Sequence, residues 1–119
     1  MEGDMCLKVV DNGEFKDIPI KEGEIFLLPA NMPHSPQRKA NTIGLVIEMK
    51  RQPINQDGLT WYCNNENCRE QLFEKFFHVE NLDLGAALKP IIEEFYSKVE
   101  LRTCKKCGEI SEPPEQPKY

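Results

Sequence analysis

Four cysteines in the second half of the chain form the most distinctive candidate site. Cys63 and Cys68 are spaced C-x4-C, and Cys104 and Cys107 form a C-x-x-C knuckle that is followed by Gly108. Thiolates at such spacings converge on one metal ion, and the glycine eases the turn of the backbone. Together the two pairs predict a tetrahedral four-thiolate site for zinc or iron. Its predicted role is structural, because four thiolates leave no open coordination position for chemistry.

Two other interpretations of these cysteines stay open. Buried cysteines often serve only as small apolar core residues, and Cys104 and Cys107 could instead exchange between thiol and disulfide states. The redox interpretation ranks last because no thioredoxin-like βαβ pattern surrounds the pair. The fifth cysteine, Cys6, lies in the alternating segment MCLKVV and is predicted to belong to the core.

A second candidate site lies in GEIFLLPANMPHSPQR, the stretch from Gly23 to Arg38. His34 stands between two prolines after an apolar run, and Arg38 follows it on the same short segment. Imidazole is the commonest side-chain metal ligand, and a guanidinium group is suited to binding carboxylates. On spacing alone, the simpler interpretation is that His34 hydrogen-bonds the backbone of a turn and that Arg38 is solvated.

The elements that must position these residues are mainly β. CLKVV and FKDIPI flank Asn12-Gly13, a strong hairpin signal because both turn positions favour positive φ. EIFLL and TIGLVIEM read as further buried strands, and short strands with tight turns are typical of an antiparallel sandwich or barrel. Apolar residues at helical spacing predict a helix over about 83–100, with Asp83 as its cap and Pro90 bending it or marking its first turn.

Length and charge limit the functions that the chain can have. Its 119 residues fit one domain, or one domain with an appendage. A net charge of −5 argues against a nucleic-acid partner, which a basic face would attract. No apolar run is long enough to cross a membrane, and the acidic start MEGDMCLKVV is unlike a secretory signal. These features predict a soluble cytoplasmic protein whose thiols stay reduced.

Several segments, taken in order, resemble one enzyme family. The stretch that ends at His34 resembles the second conserved motif of the cupin superfamily, with asparagine where a glycine is usual. The motif positions are occupied here by Gly23, Pro29, Asn31 and His34. The longer set EGDMCLKVV, IKEGEIFLLPANMPHSPQR, IGLVIE, DGLTWYC and RTCKKCGEI resembles the 3-hydroxyanthranilate 3,4-dioxygenase family over nearly the whole chain. This resemblance implies a cupin double-stranded β-helix, or jelly roll, with a C-terminal helix and a thiolate metal knuckle.

The resemblance also implies an activity. Members of the family use non-haem Fe(II) and dioxygen to cleave the ring of 3-hydroxyanthranilate, giving 2-amino-3-carboxymuconate semialdehyde on the kynurenine route to quinolinate and NAD. Two histidines and one glutamate hold the iron, an arrangement that leaves positions open for substrate and oxygen. His34 matches the second histidine, Arg38 an arginine that binds the substrate carboxylate, and Glu48 a catalytic carboxylate at the substrate's amino and hydroxyl edge. A homodimer is implied as well. Without the resemblance, Arg38 and Glu48 read as ordinary surface charges.

The first cupin motif is where the sequence departs from the family. Its closing glycine matches Gly3, so the resemblance implies that two of the three iron ligands, and a second substrate arginine, would lie ahead of Met1. One imidazole does not hold Fe(II) against water. We therefore expect that the barrel is incomplete at its N-terminus and that this chain alone neither binds iron at His34 nor turns over the substrate. The alternative function is a non-catalytic thiolate-metal binding or interaction module derived from the dioxygenase.

The domain plan follows from these observations. A partial cupin barrel is predicted over residues 1–60, and a cysteine-rich C-terminal extension over 61–110. The polar, proline-rich segment 111–119 is predicted to be a disordered tail. Within the extension, the four cysteines match a rubredoxin-like site of microbial family members, with the first pair loosened from the usual C-x-x-C to C-x4-C.

Overall fold

The computed structural model describes residues 2–79 and 83–114, and the last part of the predicted tail, 115–119, lies outside the described residues. The chain divides into two units, Met1–Met49 and Lys50–Tyr119. The fold is mainly β with a helix near the C-terminus, as predicted. Within the described ranges, no helix combines the length and the apolar character that crossing a membrane requires.

The first unit is built on a three-stranded antiparallel sheet with β1 at its centre. The turn between β1 and β2 has Asn12 and Gly13 at φ values of 49° and 82°, the left-handed geometry that the Asn-Gly pair predicts. Pro19 and Pro36 lie on the outer strands, where a missing N–H costs least. The strands are β1 (Met5–Asp11), β2 (Glu14–Ile20) and β3 (His34–Arg38).

One face of this sheet carries the apolar core of the unit. Leu7 and Val9 of β1 are buried on it together with Ile20 of β2. Side chains of opposite residues in an antiparallel pair share a face, and the register pairs Val9 with His34 and Leu7 with Pro36. The odd-numbered positions of β1 and the even-numbered positions of β3 therefore lie on the core face.

Two segments that the sequence predicts to be buried strands are not strands in the structure. In EIFLL the side chains of Ile25 and Leu27 are 95% and 89% exposed, and in TIGLVIEM only Ile43 pairs, through an isolated bridge to Glu2. A strand forms where a neighbouring strand satisfies its hydrogen bonds and a layer covers its apolar side chains. Among the described residues, no strand pairs with either segment. As a consequence, His34 begins a strand instead of following a buried one.

The second unit combines an antiparallel hairpin with the C-terminal helices. Phe95 of α1 is 1% exposed, and its ring stacks on that of Trp61 in β4 with centroids 4.5 Å apart. The predicted cap is present, since the Asp83 carboxylate accepts a hydrogen bond from the N–H of Ala86 at 2.7 Å. Pro90 lies inside the helix. The elements are β4 (Asp57–Tyr62), β5 (Gln71–Phe77), α1 (Leu84–Ser97) and α2 (Val99–Arg102).

Candidate functional site

The four predicted cysteines meet in the second unit. Their Sγ atoms all lie within 4.8 Å of one another. The Sγ of Cys63 is 3.5 Å from that of Cys107, and the Sγ of Cys68 is 3.7 Å from that of Cys104. A tetrahedral ion with metal–sulfur bonds of about 2.3 Å needs sulfur atoms about 3.8 Å apart. The donor set and its spacing therefore fit zinc or iron.

The first cysteine pair lies at the tip of the β4–β5 hairpin. Cys63 directly follows β4, and its N–H donates to the carbonyl of Glu70 at 2.7 Å, which continues the hairpin one step beyond the strands. The backbone then folds tightly, because the N–H groups of Cys68 and Arg69 both donate to the carbonyl of Asn65 at 2.9 and 3.0 Å. This tight turn accommodates the two residues by which C-x4-C exceeds C-x-x-C, and it directs Cys68 back towards Cys63.

The second pair lies at the tip of a short antiparallel ribbon. Thr103 and Ile110 form a β-bridge, and the N–H of Cys104 donates to the carbonyl of Glu109 at 2.8 Å. The N–H of Cys107 points at the Sγ of Cys104, 3.5 Å away. Gly108 closes the turn with φ of +81°, a conformation that other residues rarely adopt. We refer to residues 102–111 as the knuckle ribbon.

The two buried thiols differ in their ionisation. The backbone N–H of Cys107, aided by that of Lys106 and opposed by burial, lowers the pKa of Cys104 to about 6. Burial raises the pKa of Cys63 to about 12. Without metal, Cys104 is thus a thiolate at neutral pH and Cys63 a thiol. Because metal ligation requires thiolates, an ion entering this cluster displaces the proton of Cys63.

His34 lies on the core face of the first sheet but is exposed. Its Nδ1 is 2.9 Å from the carbonyl oxygen of Met32. Donation from Nδ1–H to this oxygen selects the tautomer in which Nε2 carries a lone pair, the form that ligates a metal. The same hydrogen bond is the one expected if His34 only caps a turn, so the contact agrees with both interpretations.

Arg38 lies on the same face as His34, opposite Met5 in the register. Its guanidinium group lies against Gly44 so closely that a Cβ atom at Gly44 would overlap it. The sequence did not single out this glycine, since only the folded chain brings the two residues together. A cavity of about 300 Å³ borders Arg38, and it is lined by Asp4, Met5, Cys6, Gln37, Arg38 and Lys39.

Glu48, the third residue predicted for this site, belongs to no group of three or more metal-ligating side chains among the described residues. Glu48 lies in a segment without regular structure and is exposed. His78, the second histidine of the chain, belongs to the other unit, where its Nδ1 is 3.0 Å from the carbonyl oxygen of Asn55. Within the described residues, the only group of three or more metal-ligating side chains is the four-cysteine cluster. His34 alone does not fit the ligand set of a catalytic iron.

Comparisons with known proteins show which family the sequence matches. Residues 1–96 match the sequence model of the family described as 3-hydroxyanthranilic acid dioxygenase. A 3-hydroxyanthranilate 3,4-dioxygenase from Yarrowia lipolytica is 54% identical over 110 residues, which are 92% of this chain and 63% of the relative. The proteins of the same name from Xanthomonas campestris pv. campestris strain B100 and from Scheffersomyces stipitis are 50% and 53% identical, over 98% and 93% of this chain.

The fold and the site define a mainly β protein with a cluster of four thiols suited to a metal ion. With the family match covering most of the chain, the protein belongs to the 3-hydroxyanthranilic acid dioxygenase family, as the sequence motifs predicted. The chain spans 63–64% of the length of these curated relatives.

Proposed function

We propose that this chain is a portion of a ring-cleaving dioxygenase that acts on 3-hydroxyanthranilate and dioxygen. The observation that carries the proposal is the shared face of His34 and Arg38 on β3, within a sequence that belongs to the family. Alternate residues of a strand point the same way, so one face offers an imidazole for a metal and a guanidinium for a carboxylate.

Each predicted side chain has a definite role in this proposal. The hydrogen bond from Nδ1 of His34 to Met32 leaves Nε2 available as an iron ligand. Arg38 binds the substrate carboxylate through its planar fork, and Glu48 contacts the amino and hydroxyl edge of the ring. When bound, ferrous iron supplies the site at which dioxygen and substrate meet. Among the described residues, His34 is the one iron ligand that this proposal assigns. We therefore propose that the chain alone neither retains iron at His34 nor turns over 3-hydroxyanthranilate.

A chimera tests this proposal. The chain replaces the aligned 116 residues of the Xanthomonas campestris relative, and loss of 3-hydroxyanthranilate and product absorbance are followed with Fe(II). We expect the chimera to turn over 3-hydroxyanthranilate and the isolated chain to be inactive. In the chimera, His34→Ala abolishes turnover. Arg38→Ala raises KM by about tenfold or more, as loss of a hydrogen bond to a charged group does.

The control variant in the chimera is Lys8→Ala. Lys8 lies on the opposite face of the same sheet, in a surface pair with Asp17 at 3.3 Å, and its removal leaves turnover unchanged. Full activity of the His34→Ala or Arg38→Ala chimera would contradict the assigned roles. Family-like turnover by the isolated chain would contradict the proposed need for further ligands.

A second function is favoured by a separate observation. The four Sγ atoms within 4.8 Å support a structural four-thiolate site for zinc or iron that is complete within this chain. On this proposal the chain acts as a thiolate-metal module whether or not it catalyses. Metal analysis of the purified protein tests it, with about one zinc or iron ion per chain expected and none as the contradicting result.

Three finer proposals accompany the function. The activity serves the kynurenine route to quinolinate and NAD, the protein works in the reducing cytoplasm, and the whole protein is a homodimer. Fluorescent tagging in cells checks the compartment, and light scattering of the chimera checks the oligomeric state. A secreted protein or a monomeric active chimera would contradict these assignments.

A further inference from the structure

We propose that Arg102 is a positioning residue for the four-cysteine metal centre. Its guanidinium group binds Ser111 across the knuckle ribbon and so holds the segment that presents Cys104 and Cys107. The inference rests on the proposed metal centre and adds a residue that is not a ligand.

The geometry is a reciprocal pair of hydrogen bonds. The N–H of Ser111 donates to the carbonyl of Arg102 at 3.0 Å, and Nη1 of Arg102 donates to the carbonyl of Ser111 at 3.0 Å. The same two residues are thus joined by main chain and by side chain. The next rungs of the ribbon are the bridge of Thr103 with Ile110 and the bond from Cys104 to Glu109. We call the Arg102–Ser111 pair the ribbon clamp.

The clamp is largely buried, whereas the knuckle that it supports is exposed apart from Cys104. The side chain of Arg102 is 14% exposed and Ser111 is 5% exposed, whereas Cys107 and the residues around it face solvent. In the described part of the chain, Nε of Arg102 is buried without a hydrogen-bond partner. Burying a guanidinium group costs free energy. Nη1 of Arg102 also lies 3.7 Å from Oε2 of Glu112, but that side chain is 80% exposed, so the ion pair offsets only part of this cost. A largely buried cation at this position therefore points to a task for it.

The neighbouring metal centre supplies such a task. A tetrahedral four-thiolate centre requires that the knuckle ribbon holds Cys104 and Cys107 at fixed distances from Cys63 and Cys68. The ribbon is also very short, so without the clamp its open end frays and the separation of Cys104 from the other pair varies. Groups that orient metal ligands typically change metal affinity by about 10- to 100-fold when they are removed.

The test measures metal binding by the full 119-residue chain and four variants. Metal-stripped, reduced protein is titrated with Co(II), and the thiolate-to-metal absorption reports ligation, while competition with a chromophoric chelator gives the Zn(II) affinity. Arg102→Ala is expected to lower the affinity by about 10- to 100-fold and to alter the Co(II) spectrum. Arg102→Lys keeps the charge and a flexible donor for the Ser111 carbonyl, so it is expected to recover part of the loss. This variant also tests the inference if the alanine variant does not fold.

Two controls separate positioning from charge and from general stability. Lys98→Ala removes one positive charge at the other end of α2, from a side chain that is 52% exposed, and is expected to stay within about twofold of the unmodified chain. Ser111→Ala removes the hydroxyl but keeps the backbone partner of the clamp, and is expected to behave in the same way. The metal-free forms of all variants are compared by thermal unfolding.

The outcomes are distinct. Loss of affinity in Arg102→Ala with partial recovery in Arg102→Lys, beyond any change in metal-free unfolding, supports the inference. Zn(II) affinity and a Co(II) spectrum unchanged in both Arg102 variants would overturn it while leaving the metal centre intact. Equal loss in Lys98→Ala would also overturn it, because charge rather than position would then decide. If the unmodified chain binds neither ion, the metal-centre proposal itself fails, and the inference with it.

Discussion

The four-cysteine cluster and the His34 face differ in how many of their partners the chain supplies. In the cluster, two turns bring four Sγ atoms within 4.8 Å of one another, with Cys63 and Cys104 buried. On the sheet of the first unit, His34 and Arg38 share one face, but His34 is exposed and joins no group of three metal-ligating side chains among the described residues.

The difference follows from how the candidate ligands are grouped along the chain. Each cysteine pair lies within one tight turn, and a hairpin and a short ribbon are enough to aim both pairs at one point. In the proposed dioxygenase, a facial iron site would draw its ligands from separate strands, so its geometry would depend on long-range pairing. The described residues therefore bring four thiols together, whereas His34 and Arg38 would need partners from elsewhere in the proposed dioxygenase.

The largest expected effect is loss of the metal on removal of one cysteine pair. Cys104→Ser with Cys107→Ser leaves two thiolates, so bound zinc or iron falls from about one per chain to near zero. The free energy of unfolding falls with it, by about 4 kcal/mol where free metal exceeds Kd a thousandfold. Cys6→Ser is the matched control, because Cys6 lies on β1 in the other unit. Unchanged metal content in the double variant would contradict the assignment of the metal to the four-cysteine cluster.

A second prediction concerns pH in the metal-free, reduced protein. The pKa of Cys104 is about 6, below its ordinary value of 9.0, chiefly because of the N–H of Cys107. Between these values the unfolded state binds more protons than the folded state, so the free energy of unfolding rises with pH from about 6 to about 9. Cys63, with its pKa raised to about 12, adds no slope below 9. Chemical unfolding measured across this range should show the slope, and Cys104→Ser should flatten it.

A smaller effect is expected at the start of β4, the strand that leads to Cys63. Both carboxylate oxygens of Asp57 accept hydrogen bonds from Arg51, at 2.8 Å each. The Arg51 guanidinium holds the pKa of Asp57 below its ordinary value of 3.8, so this stabilisation is present above that value and is lost as pH falls through the folded pKa. Since both side chains are partly exposed, Asp57→Asn should cost about 1 kcal/mol. Urea unfolding at pH 7 and at pH 3 checks this, and the variant's deficit should shrink at pH 3.

The smallest effect on the free energy of unfolding is expected for a substitution at Gly44. This variant tests the surroundings of Arg38 in the first unit. A side chain at Gly44 would occupy the space of the Arg38 guanidinium. Gly44→Val should therefore move the Nε–H NMR signal of Arg38 while changing the free energy of unfolding by less than about 0.5 kcal/mol, because Gly44 is exposed. An unmoved Arg38 signal would mean that the two groups are not in contact in solution.

Local patterns in the sequence predicted the local structure well. The Asn12-Gly13 hairpin and the Asp83 cap depend on a few neighbouring residues, and both were predicted correctly. The strand predicted over EIFLL was wrong, because an apolar run becomes a strand only when other parts of the chain pair with it and cover it.

The same holds for the candidate site residues, where local spacing was informative and long-range contacts were not predicted. The spacing of the cysteines indicated which thiols could meet, since each pair needs only a turn. The contacts of Arg102 with Ser111 and of Arg38 with Gly44 had no signal in the sequence. Both depend on where the backbone carries residues that have no motif of their own.

The stoichiometry of Co(II) binding by the reduced chain and by two variants tests most directly where this chain binds metal. We predict about one ion per chain with thiolate-to-metal absorption, full retention of that ion in His34→Ala, and its loss in Cys104→Ser with Cys107→Ser. A tightly bound ion that persists without the two cysteines, or one that disappears with His34, would contradict the claim that this chain's metal centre is the four-cysteine cluster.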